Sequence, residues 1–167
     1  IATERPNPHT RGLDRLSALQ IARKINAEDF NAARAVKKAS KPLAQAIRTA
    51  TQAFMGGHKI IFMGAGTSGR LGVLEAAECV PTFGVKPTQI IGLIAGGKNA
   101  MFRAKEGAED NAALGAQDIR RQARAHDFVI GLTASGITPY VLVGLEAARQ
   151  LGAHTALITC NEQADFS

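Results

Sequence analysis

Tryptophan is absent and aromatic residues make up only 5% of the chain, which leaves little with which to stack unpaired bases. Cysteine is scarce as well, and Cys79 and Cys160 stand far apart with no paired spacing. Two such thiols offer neither a disulfide framework nor a zinc cluster, and they point to a reducing, cytoplasmic compartment. No apolar run approaches the ~20 residues that span a bilayer, and no signal peptide is visible. Acidic residues are in deficit, 14 against 20 Lys and Arg, for a formal charge of +6. The excess lies wholly in the first fifty residues, with 10 basic and 4 acidic side chains; the remainder is balanced at 10 and 10. Nucleic-acid binders cluster cations and aromatics around a reading surface. Here the cations belong to helix-rich N-terminal sequence, so neither nucleic acid nor membrane is an expected partner.

What is present is a core-forming composition, 46% hydrophobic and 20% charged over 167 residues, the size of one ordinary domain. Residues 1–12, with Pro6 and Pro8, read as an extended arm. From Leu13 to Met55 apolar residues recur at three-to-four spacing, predicting helix, with Pro42 in the first turn of a new one. Gly56-Gly57 stops it. Alternation follows. Lys59–Met63, Gln89–Ala95, Asp127–Thr133 and Thr155–Cys160 are short apolar runs that read as buried strands. Between them Ser68–Cys79, ended by Pro81, and Thr138–Leu151 read as helices, and 98–124 is helix-compatible. The expected fold is α/β: a parallel sheet of four or five strands with helices on both faces, in three layers. A helical N-terminal segment, 1–55, precedes it and packs on the domain formed by 56–167.

Ligands of such sheets sit beyond the carboxyl ends of the strands. After the first strand comes Gly64-Ala65-Gly66-Thr67-Ser68-Gly69, a literal G-x-G-x-x-G in strand-to-helix context. A dinucleotide site also needs an acid at the end of the second strand, and that strand ends Ala95-Gly96-Gly97. What remains is a glycine turn with two hydroxyls at a helix N-terminus, suited either to an anion or to simple helix capping. A second turn, Ala134-Ser135-Gly136-Ile137-Thr138-Pro139, repeats the arrangement after the third strand. Two such turns can grip one phosphate, and neither carries the lysine of a nucleotide-hydrolysing loop. A sugar phosphate is the expected ligand.

Glu75 and Glu78 share one helix face, and Glu106, Glu109 and Asp110 form a second acidic cluster. Glu78, between alanines and Cys79-Val80-Pro81, reads as partly buried and able to act as acid or base. His9, His58, His126 and His154 lie in arm, turn or helix-end contexts, and no metal-ligand spacing appears.

Taken together, GAGTSGRLGVLEAAECVPTFG (64–84), GLIAGG (92–97), EGAED (106–110) and ASGITPY (134–140) resemble the signature segments of the N-acetylmuramic acid 6-phosphate etherase family, of the SIS (sugar isomerase) fold. Leu13-Asp14 and Ile25-Asn26-Ala27-Glu28-Asp29 resemble it too. The resemblance implies cleavage of a D-lactyl ether by elimination and hydration, with no metal or organic cofactor. It places the catalytic glutamates on Glu78 and Glu109, and substrate binding on Gly66, Thr67, Ser68, Gly69, Ser135, Gly136 and Thr138. It also implies a homodimer with a shared active site, and a chain that continues past Ser167. The related glucokinase regulatory protein family implies the alternative, sugar-phosphate binding without catalysis; a phosphosugar isomerase is a third. The sequence departs from the etherase pattern at Ile137, where the family usually has Arg. It departs again at Glu75-Ala76-Ala77-Glu78-Cys79-Val80-Pro81, where the family usually reads Asp-Ala-Ser-Glu-Cys-Pro-Pro.

Overall fold

The computed structural model describes residues 2–164. The chain divides into two compact units, Ile1–Ile47 and Arg48–Ser167.

In the first unit the sequence predicts an extended arm over 1–12, but the arm is coiled into short 3-10 turns at Ala2–Glu4 and Pro8–Thr10, and a third, Leu13–Arg15, follows it. The cause is local. The Asn7 side chain accepts the His9 N–H at 2.9 Å while Pro8 supplies a helical φ. Helix α1, Ala18–Lys38, starts later than periodicity suggests because Ser17 and Gln20 form a reciprocal capping box. Glu28 of α1 then fastens the arm, accepting Asn7 Nδ2 at 2.9 Å and meeting His9 Nδ1 at 2.8 Å. Helix α2, Ser40–Met55, follows with Pro42 in its first turn, and the division between the units falls within it, after Ile47.

The second unit carries strands β1 Ile60–Gly64, β2 Ile90–Ile94, β3 Phe128–Thr133 and β4 His154–Thr159. All pairs are parallel and the spatial order is β2-β1-β3-β4. Helices α3 Gly66–Phe83, α4 Ala112–Gln122 and α5 Pro139–Gln150 connect them. Helix α3 packs on β1 and β2, whereas α4 and α5 pack on each other. Ile61, Met63 and Val129 face Ile119, Tyr140, Val141 and Leu145 in the main core. The alternate residues Phe62 and Leu132 lie against Gly72 of α3. That alternation produces the three expected layers. At the amino ends of the strands the buried Asp127 carboxylate accepts the Lys59 and Arg124 N–H groups, each at 2.8 Å.

Chain order reverses between β1 and β3: the chain leaves β1 toward β2 and leaves β3 toward β4. Ligand crevices form at such switch points, outside the carboxyl ends. Gly64 of β1 pairs with Leu132 of β3, so both hydroxyl turns leave the sheet side by side.

Helix α3 differs from expectation at both ends, starting at Gly66 rather than Ser68 and running past Cys79. Pro81 does not end α3; the helix runs on to Phe83 and stops at Gly84, whose φ of 66° closes the C-cap. Proline removes the one N–H bond it would have made to residue 77, but only two helical residues follow it, and glycine supplies the left-handed residue that terminates the helix.

Candidate functional site

Helix α3 begins at Gly66, two residues before Ser68, so Thr67 and Ser68 lie within its first turn. The N-cap is Ala65, which makes no side-chain hydrogen bond, so neither hydroxyl serves as the cap. Among the described residues the Thr67 and Ser68 hydroxyls have no hydrogen-bond partner. The first-turn N–H groups of a helix have none within it either, and they carry the positive end of its dipole. Gly66 adopts φ 54°, which a side chain disfavours. Gly69 lies so close to β1 that an added Cβ would stand 2.5 Å from the Gly64 carbonyl oxygen and 2.7 Å from Ile94 Cγ1. Its N–H donates to the Ala65 carbonyl at 3.1 Å. Gly69 therefore lowers the helix N-terminus onto the strand ends.

The second turn is organised around Thr133, at the end of β3 and buried. Its hydroxyl meets Thr138 Oγ1 at 2.7 Å and Ser135 Oγ at 3.4 Å, and accepts the Gly136 N–H at 3.3 Å. Ser135 Oγ accepts the Ile137 N–H at 3.3 Å. Gly136, at φ 77°, is buried. Thr138 is the N-cap of α5, but its hydroxyl is turned to Thr133 and makes no capping bond to the helix. The Ile137 side chain is 51% exposed.

Glu109 sits in the loop between the Lys98–Met101 turn and α4, and its carbonyl accepts the Tyr140 N–H at 3.0 Å. The EGAED segment is thereby fastened to the start of α5, beside the second turn. The Glu109 side chain is exposed. Glu78 is exposed too, which corrects the partly buried setting expected from its neighbours. The buried face of α3 is Gly69, Gly72 and Ala76, and Glu78 projects about 200° around the helix from Ala76. It shares an outer stripe with Leu71, Leu74 and Glu75, all exposed. It also lies about 15 Å along α3 from Ser68, so one chain does not bring Glu78 to the hydroxyl turns. Burial and the neighbouring Glu75 charge both push the Cys79 thiol up, away from thiolate.

Comparison with known proteins identifies the fold and family. Residues 42–149 match the family described as the glucokinase regulatory protein N-terminal SIS domain. The chain belongs to this SIS-domain family. It is 49% identical over 168 residues to an N-acetylmuramic acid 6-phosphate etherase of Listeria welshimeri, covering 100% of this chain and 57% of that protein. To the enzyme of that name from Enterobacter sp. strain 638 it is 52% identical over 162 residues, covering 96% of this chain and 54% of the other. The resemblance to the etherase family thus extends along the whole chain, which spans little more than half the length of these relatives. A solved phosphoheptose isomerase from Francisella tularensis superposes with a TM-score of 0.62 at 19% identity, covering 86% of this chain and 76% of that one. That likeness is one of fold.

In this SIS domain no group of three or more His, Cys, Asp or Glu among the described residues is arranged to hold a metal. No helix of the described residues is long and apolar enough to cross a membrane. Sequence reading overlooked three polar residues of the second turn: Thr133, which organises it from within, and Thr159 and Asn161, which hold it from β4. Asn161 Nδ2 donates to the Ser135 carbonyl at 2.9 Å and Thr159 Oγ1 to the Ala134 carbonyl at 3.1 Å. Thr133 and Thr159 carried a signal, since they end β3 and β4, where the topology places ligands; Asn161 lies two residues beyond β4 and carried none.

Proposed function

We propose that this SIS domain grips the phosphate of a sugar 6-phosphate between its two hydroxyl turns, and that the protein cleaves the D-lactyl ether of N-acetylmuramic acid 6-phosphate. The products are N-acetylglucosamine 6-phosphate and D-lactate. The observation that carries the binding step is the placing of two hydroxyl turns at adjacent ends of β1 and β3. One turn offers uncapped N–H groups with the hydroxyls of Thr67 and Ser68; the other offers Ser135. Identity near one half to curated etherases supports the substrate and the bond broken.

Opening the sugar ring gives an aldehyde at C1, which acidifies the proton on C2. One glutamate removes that proton as the C3–O bond breaks, and the other protonates the departing lactyl oxygen. Water then adds to the unsaturated aldehyde, oxygen to C3 and hydrogen to C2. Each acid–base step contributes about a hundred- to ten-thousand-fold. Glu109 lies beside the second turn of its own chain. Glu78, ~15 Å along α3 from Ser68, acts in the site of a second copy, and the exposed Leu71 and Leu74 beside it suit an interface. We place the reaction in the cytoplasm, in keeping with two free thiols.

The test is release of D-lactate from N-acetylmuramic acid 6-phosphate in water enriched in heavy oxygen. Label at C3 of the amino sugar and solvent deuterium at C2 are expected; label in lactate overturns the elimination. The family description favours one other reading, a sugar-phosphate sensor. Such a protein binds the same ligands and releases no lactate.

A further inference from the structure

The chain that follows β4 closes on the second hydroxyl turn from outside. Asn161 Nδ2 donates to the Ser135 carbonyl at 2.9 Å. The Thr159 hydroxyl donates to the Ala134 carbonyl at 3.1 Å and accepts the Asn161 N–H at 3.1 Å. The Cys160 N–H reaches the same Ala134 carbonyl at 3.1 Å. Asn161 Oδ1 accepts the Gln163 N–H at 3.1 Å, and the resulting turn lays Ala164 against Gly136, where a Cβ has no room.

Peptide planarity converts these bonds into a statement about donors. In a trans peptide the C=O and the following N–H point in opposite directions. Holding the Ala134 carbonyl toward Thr159 and Cys160 therefore aims the Ser135 N–H the other way. Holding the Ser135 carbonyl toward Asn161 does the same for the Gly136 N–H, which is found on Thr133 Oγ1. Among the described residues the Ser135 N–H has no acceptor. The turn thus presents one free backbone donor and the Ser135 hydroxyl together, in an orientation fixed from behind.

We propose that Asn161 and Thr159 are positioning residues of the phosphate-binding turn. They touch no ligand; they hold the Ala134 and Ser135 peptides so that the donors on the opposite side are already aimed when the phosphate arrives. Affinity for a rigid anion depends on such preorganisation, because a turn ordered only on binding loses part of the interaction to ordering. The inference rests on the reading that this turn binds phosphate.

The experiment is calorimetry on the full 167-residue chain with N-acetylglucosamine 6-phosphate and with N-acetylglucosamine, for wild type, Ser135→Ala, Asn161→Ala, Thr159→Val and Thr159→Ser. Asn161→Ala and Thr159→Val are expected to weaken the phosphorylated sugar about five- to tenfold, the loss of one hydrogen bond. Affinity for the unphosphorylated sugar stays unchanged. Thr159→Ser, which keeps the hydroxyl, retains wild-type affinity. A merely structural role moves both sugars together, and that result overturns the inference. So does unchanged affinity in Asn161→Ala and Thr159→Val while Ser135→Ala weakens binding. Should Asn161→Ala fail to fold, the Thr159 pair alone decides. If Ser135→Ala itself leaves binding intact, the phosphate reading fails and the inference falls with it.

Discussion

The Tyr140 backbone N–H donates to the Glu109 carbonyl at 3.0 Å, a hydrogen bond that joins the EGAED loop to the first turn of α5. The same residue anchors that helix from the other side, its phenol donating to Asp118 Oδ2 of α4 at 2.8 Å. Gly115 of α4 lies against the Tyr140 carbonyl, with no room for a Cβ. Tyr140 is therefore the joint at which α4, α5 and a candidate catalytic loop meet.

Tyr140→Phe should separate stability from positioning. It deletes the bond to Asp118 at a fully buried side chain, at a cost of about 1–3 kcal/mol and roughly 2–4 °C in Tm per kcal/mol. The backbone bond to Glu109 survives, so sugar-phosphate affinity should change far less than Tm. A pH signature follows. Burial, with the Asp118 contact, pushes the Tyr140 phenol well above its ordinary 10.0. A group whose folded pKa is raised contributes stability below its unfolded value and loses it as pH rises beyond. Thermal melts of wild type should fall above about pH 10 more steeply than those of Tyr140→Phe.

Ser68→Ala and Ser135→Ala should both weaken binding of a sugar 6-phosphate by roughly 1.5–3 kcal/mol, with little effect on the unphosphorylated sugar. They should differ in stability. The Ser68 hydroxyl has no protein partner among the described residues, whereas Ser135 Oγ accepts the Ile137 N–H at 3.3 Å. Only Ser135→Ala is expected to lower Tm. Equal affinity for phosphorylated and free sugar in the wild type would falsify the assignment of these turns.

The arm of the first unit should respond to acid. Hydrogen bonds from Asn7, His9 and Asn31 hold the Glu28 carboxyl below its ordinary range. A depressed carboxylate contributes stability above its unfolded pKa and loses it as pH falls through the folded value. NMR signals of the Asn7 amide should therefore shift as the pH falls through and below the ordinary carboxylate range. Glu28→Gln should remove most of that transition.

How much of this was legible beforehand depends on the range of the interactions. Strands β1 and β3 were readable because fully buried parallel strands are continuous apolar runs, as in Ile60–Met63. The hydroxyls at 67, 68, 135 and 138 were readable because each follows such a run directly. The burial of Glu78 was misread because α3 is built of small residues on both sides: Ala76 is buried while its neighbour Ala77 is exposed, so alanine beside a carboxylate did not mark a core face. Asn161 escaped notice because its contact with Ser135 spans 26 positions, beyond any local pattern.

Ile137→Arg tests the departure nearest the site. The Ile137 side chain is half exposed and its N–H is taken by Ser135, so a longer side chain fits without disturbing the turn. A guanidinium there can pair with phosphate bidentately. Sugar-phosphate affinity should rise about tenfold at low salt, less at high salt, and not at all for the free sugar. Unchanged affinity at low salt means that another cation already fills the role.

The separation of Glu78 from the hydroxyl turns yields the last prediction. Glu78→Gln and Glu109→Gln should each abolish most lactate release while preserving sugar-phosphate binding, because an amide replaces the carboxyl with little change of shape. Suppose each site takes Glu109 from one copy and Glu78 from the other. A mixed dimer of the two variants then has one site with both glutamates and one with neither. With random exchange half the dimers are mixed, so about a quarter of wild-type activity should return when the two inactive proteins are combined. If each site instead draws both glutamates from its own chain, every site in every dimer lacks one of them and mixing restores nothing. The assay needs only lactate release before and after subunit exchange, and silence after demonstrated exchange removes the shared site.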